Sequence, residues 1–141
     1  MKKLAVVYWS GTGNTESMAN AIIEGAKSTG AEAELFTPDT FDASMVSKYD
    51  VLAFGCPAMG DEVLEDAEFE PMFELCKSEI SNKKIALFGS YGWGDGEWMR
   101  NWEDECTSNG AVLADESIIC NEAPDDEALE KCKNLGVALV S

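Results

Sequence analysis

Histidine is absent from the chain. Its absence removes the commonest general base and metal ligand together, so any chemistry is expected to reside in a bound cofactor. Cysteine occurs five times, at Cys56, Cys76, Cys106, Cys120 and Cys132, but never as a CxxC pair. An odd number at wide spacing argues against a zinc site or a disulfide framework. Cys56 ends an apolar run, and Cys106 and Cys132 fall on apolar helix faces, so the thiols read as small core residues rather than catalytic ones. No apolar run reaches the roughly 18 residues that a membrane span needs. Met1-Lys2-Lys3 leads straight into a strand-like run with no cleavage-site pattern, so cytoplasmic residence is expected. Positive charge is scarce: 10 Lys and Arg stand against 27 Asp and Glu, a net −17. That balance excludes nucleic acid and anionic membrane as partners and favours basic ones.

What is present is regular. The 141 residues, 45% of them hydrophobic, suit one domain over 1–141 with its own core. Strand-length apolar runs recur at Leu4–Trp9, Val51–Cys56, Ile85–Gly89 and, less cleanly, Val112–Cys120, with helical stretches between them. Such alternation predicts a parallel α/β sheet. Glu32–Phe36 alternates polar and apolar, as an edge strand does, which places the first, third and fourth strands inside. Met18, Ile22, Ile23 and Ala26 share one helical face, and Trp98, Met99, Trp102 and Cys106 another. A last helix starts near Asp125 or Asp126 and buries Leu129, Cys132, Leu135 and Leu139. Ligands of such sheets bind beyond the carboxyl ends of the strands, where three loops leave the three interior strands.

The first of these loops, Ser10-Gly11-Thr12-Gly13-Asn14-Thr15, joins a strand to a helix N-terminus and converges backbone amides with three hydroxyls. It is an anion cradle, best suited to phosphate. No Lys or Arg lies between Leu4 and Ala26, so neutral donors and dipoles do the holding, and the phosphate is kept rather than transferred. A Walker loop would need a Lys and a different spacing, and a dinucleotide fingerprint would need a third glycine where Glu16 stands. The second loop, Cys56-Pro57-Ala58-Met59-Gly60-Asp61-Glu62, sets a polarizable side chain beside a glycine and two carboxylates. The third, Gly89-Ser90-Tyr91-Gly92-Trp93-Gly94-Asp95-Gly96, holds aromatics between glycines, and Trp93 reads as a stacking platform.

Tyr8–Glu16 as YWSGTGNTE, Cys56–Gly60 as CPAMG and Phe88–Gly94 as FGSYGWG together resemble the short-chain flavodoxins of anaerobic bacteria, in order and spacing over nearly the whole chain. The resemblance implies a doubly wound five-stranded parallel sheet in order 2-1-3-4-5, with helices on both faces. It also implies one non-covalent FMN in a monomeric, low-potential one-electron carrier that cycles mainly between semiquinone and hydroquinone and is not an enzyme. Ser10, Gly11, Thr12, Gly13, Asn14 and Thr15 would hold the phosphate, and Met59 and Trp93 would sandwich the ring. Pro57, Ala58, Gly60, Asp61, Ser90, Tyr91, Gly92 and Gly94 would complete the site. Glu62 would accept from the flavin N3–H, and the Gly60–Asp61 peptide would turn its carbonyl to N5–H on one-electron reduction. Partners of such carriers often present basic surfaces.

The carboxylates Asp61, Glu62, Glu65, Asp66, Glu68 and Glu70 are expected to lower the second potential. One carboxylate about 10 Å from an anionic ring disfavours that charge by roughly 0.4–0.8 kcal/mol, against about 59 mV per roughly 1.4 kcal/mol for one electron. Stacking of Trp93 on the electron-poor oxidised ring acts in the same direction. A flavodoxin-like FMN or quinone reductase is the competing enzymatic reading, disfavoured by the acidic, aromatic rim and the compact length. A receiver domain would need carboxylates where Trp9-Ser10 and Cys56-Pro57 stand.

Overall fold

In the computed structural model, which describes residues 2–141, the first strand, β1 (Leu4–Tyr8), is buried at every position. Continuous apolar runs are what an interior parallel strand requires, because helices cover both of its faces. The same holds for β3 (Val51–Gly55) and for most of β4 (Lys84–Tyr91). On one side of β1 lies β2 (Ala33–Phe36), an edge strand that turns Glu34 and Leu35 to solvent. All pairings are parallel, and the order is β2-β1-β3-β4.

The fifth position differs from the single strand expected over Val112–Cys120. Two short pieces fill it, β5 (Val112–Leu113) beside the start of β4 and β6 (Ile118–Asn121) beside its end. The ladder breaks at Asp115, whose Oδ1 accepts the Glu116 N–H at 2.8 Å. A short acidic side chain bonding its neighbouring backbone competes with strand pairing.

Helices α1 (Asn14–Lys27) and α4 (Asp126–Leu139) cover one face of the sheet, burying Met18, Ile22, Cys132, Leu135 and Leu139. Helices α2 (Phe69–Cys76) and α3 (Glu97–Ser108) cover the other, around Phe54, Phe69, Phe73, Trp98 and Trp102. The α4 cap is Asp125, whose carboxylate accepts the Ala128 N–H at 2.8 Å. α1 and α4 touch through paired glycines. A Cβ on Gly25 would overlap the Lys133 carbonyl, and one on Gly136 would overlap the Ile22 carbonyl.

Cys56, Cys76, Cys106 and Cys132 are buried and Cys120 partly so, all as free thiols. Burial pushes the first four up to about 12 and Cys120 up to about 11. Since helices run opposite to strands, Lys2, Lys3, Lys27, Lys48, Lys77, Lys83 and Lys84 gather at the end where strands begin. The opposite end carries the three loops.

Candidate functional site

The cradle is shaped by one hydroxyl. Ser10 Oγ accepts the N–H groups of Gly13 at 3.1 Å and Glu16 at 3.3 Å, which curls the loop over the start of α1. Gly13 is the N-cap residue of that helix at φ +93, a conformation suited to glycine, and Ser10 supplies the side-chain cap from three residues back. Among the described residues, the N–H groups of Gly11, Thr12 and Thr15 have no partner within the chain, and that of Asn14 has only a long 3.5 Å contact with Thr12 Oγ1. Those of Asn14 and Thr15 are orphan donors at the positive end of the helix dipole, and those of Gly11 and Thr12 extend the set into the loop before it. Thr15 is buried, and its Oγ1 meets Ser90 Oγ at 3.2 Å and accepts the Ser90 N–H at 3.4 Å, tying the cradle to the third loop. Behind the cradle, Tyr8 donates to Glu16 at 2.8 Å. Burial, and then that carboxylate, push the Tyr8 phenol up to about 12.

The second loop is stitched to β4 and the segment after it. Cys56 N–H donates to the Phe88 carbonyl at 3.1 Å and Ala58 N–H to the Ser90 carbonyl at 3.0 Å. The Trp98 indole donates to the Cys56 carbonyl at 3.1 Å. Farther out, Met59 and Val63 exchange two backbone bonds at 2.9 Å, closing a tight turn over Gly60, Asp61 and Glu62. The Trp93 indole N–H reaches the Gly60 carbonyl at 3.0 Å.

All three loops then share one cleft of about 360 Å³. Gly11, Thr12 and Asn14 line it from the first loop, Pro57, Ala58 and Met59 from the second, and Ser90, Tyr91, Gly92 and Trp93 from the third. Of the other residues marked in the sequence, Ser10, Gly13 and Thr15 shape the cradle from behind, while Gly60, Asp61, Glu62 and Gly94 form the outer rim. Trp93 is 53% exposed, whereas Trp98 is buried in the core.

Two wall residues carried no mark in the sequence: Trp9 and Glu122. Trp9 was legible only as the end of an apolar run. Glu122 follows β6, whose end joins the same rim; its N–H donates to the Tyr91 carbonyl at 2.8 Å.

Two carboxylates have duties other than those read from the sequence. Glu62 is half-buried, and its Oε1 accepts the Glu97 N–H at 3.0 Å, so it caps α3 from the second loop. Glu65 is not part of a solvated rim, for it is 6% exposed. Its oxygens accept the N–H groups of Ala67, Glu68 and Phe69 at 2.9, 2.8 and 2.7 Å, ahead of α2. Burial opposes its ionisation, but those three donors outweigh burial and hold the carboxyl below its ordinary range. Those hydrogen bonds stabilise the charge without cancelling it, so Glu65 stays an anion behind the second loop.

The site can thus hold an anion on backbone donors and a flat apolar ring beside it, and the chain has no histidine. The family model described as flavodoxin matches residues 6–136. A flavodoxin of Clostridium beijerinckii is 45% identical over 94% of the chain and 96% of its own length. One of Megasphaera elsdenii is 46% identical over 94% and 95%. The solution structure of two-electron reduced M. elsdenii flavodoxin superposes with a TM-score of 0.89, covering 97% of this chain and 98% of that one at 44% identity. Sequence, sheet order and loop geometry agree, and the chain belongs to the flavodoxin family.

Proposed function

We propose that the Ser10–Thr15 cradle takes the phosphate of FMN and that Met59 and Trp93 bracket its ring. As a flavodoxin the protein is a low-potential electron carrier, not an enzyme, and bound FMN supplies the one-electron chemistry. One observation carries the placement: the loop at the α1 N-terminus, with the Gly11, Thr12 and Thr15 N–H groups unpartnered among the described residues, borders a cleft walled by Met59 and Trp93. Thr12 and Asn14 add side-chain donors to the phosphate. Pro57, Ala58, Ser90, Tyr91 and Gly92 exclude water from the ring, while Gly60, Asp61 and Gly94 border its outer edge. Glu62 uses one oxygen on α3 and keeps the other for the flavin N3–H.

Titration of flavin-free protein tests this placement. FMN is expected to bind one to one with its fluorescence quenched. Riboflavin, which lacks the phosphate, is expected to bind at least about 100-fold more weakly, since hydrogen bonds to a charged group contribute roughly 1.5–3 kcal/mol each. Equal affinity for both would overturn the cradle assignment.

The same reading extends to partners. The half-exposed Trp93 and the carboxylates around it present the flavin end to a basic redox protein in a transient contact. Among the described residues no helix is long and apolar enough to cross a membrane, and the reading is of a cytoplasmic monomer.

A further inference from the structure

We propose that the Trp93 indole N–H and the Glu62 carboxylate form a clasp that holds the second loop against the third and sets the gap for the FMN ring. The inference rests on the FMN reading above and adds a positioning role for two side chains. Trp93 Nε1 donates to the Gly60 carbonyl and Glu62 Oε1 accepts from the Glu97 N–H, both at 3.0 Å, across 33 and 35 residues of chain. The two bonds fasten opposite loops at neighbouring points, outside the stitches that Ala58 and Cys56 make with β4 and α3.

The backbone between the fastenings is one that needs holding. Gly60 sits at φ +48 with open space on its Cβ side. Glu62 sits at φ +58, a region that residues with side chains occupy at a cost and keep only where neighbours hold them there. Its side chain is held at the far end by α3, and its chain is held by the Met59–Val63 pair. Gly94 leaves room for this arrangement, since a Cβ there would overlap the Glu62 carboxyl group. Trp93 is more than half exposed, so without its bond to Gly60 the ring would sample other rotamers and the gap would vary. A gap fixed before binding spares the ordering cost of the walls, which appears as slower ligand release.

Amide exchange in the flavin-free protein and FMN dissociation from the loaded protein test the clasp together. Trp93→Phe keeps an aromatic wall without the N–H, and the benzothienyl isostere of tryptophan at position 93 keeps the full ring area as well. Both are expected to speed exchange at Met59 and Val63, and FMN release, about fivefold, equivalent to about 1 kcal/mol at 1.4 kcal/mol per decade. Glu62→Ala is expected to expose the Glu97 amide to exchange, and Glu62→Gln, which retains an acceptor oxygen, to restore its protection. Unchanged loop exchange in both position-93 variants would overturn the clasp, whatever the flavin does. Faster exchange with unchanged FMN release would overturn its role in setting the gap. Slow exchange in a parent protein that takes up no FMN would overturn the FMN reading instead.

Discussion

A carboxylate held by three backbone N–H groups passes its shifted titration to the folding equilibrium. The folded pKa of Glu65 lies below its unfolded value, so its contribution is fully present above the ordinary glutamate range of about 4.3. It is lost as pH falls through the folded value. Glu65→Ala is expected to destabilise by about 1–2 kcal/mol at pH 7, in line with the loss of a helix cap. The difference from the parent should close as pH falls below about 4, which urea unfolding at several pH values measures. Trp93→Ala is expected to weaken FMN binding by tenfold or more, because stacking of a heteroaromatic base on a side-chain ring contributes about 1–3 kcal/mol. Asp61→Asn is expected to raise the second one-electron potential at low salt, an effect that fades as salt is added. Glu65→Gln, removing a buried charge that salt screens poorly, is expected to shift it in the same direction with less dependence on salt. The thiols supply a further check: with pKa values near 11 to 12, iodoacetamide at pH 8 should label the native chain slowly, Cys120 first.

Between elements, the close approach of α1 and α4 has no slack. Gly136→Ala sets a methyl group against the Ile22 carbonyl, which belongs to backbone and cannot swing aside. The expected cost is roughly 1–3 kcal/mol despite alanine's better helix propensity, and a denaturation midpoint measures it. Much of this level was legible beforehand. β1, β3 and β4 announce themselves as apolar runs because both of their faces are covered, and the cradle does so because glycines and hydroxyls must sit where β1 meets α1. The split of β5 from β6 was hidden, since four residues from Ala114 to Ser117 are too few to break a periodic pattern. Glu62 capping α3 was hidden for another reason: the cap lies 35 residues from the N–H it serves, and only the folded chain brings them together. The same distance explains Glu122, which joins the cleft by topology and not by any motif.

At the scale of the whole molecule, positive charge is sorted along the strand direction. Residues 10–15, 57–68 and 90–97 include no Lys or Arg. Arg100, close by on α3, returns its guanidinium to Asp95 at 3.1 Å. If a partner with a basic face docks at the proposed flavin end, electron transfer to a basic haem protein should slow at least tenfold between about 10 mM and 150 mM salt. Stopped-flow rates flat across that range would remove the electrostatic account of docking. The seven lysines at the opposite end have a practical consequence of their own. Only Lys131 and Lys133, along α4, lie elsewhere, so amine-directed coupling to an electrode or bead would tether most molecules by the end where the strands begin. The immobilised protein would then present the cleft of the three loops to solution without any engineered tag.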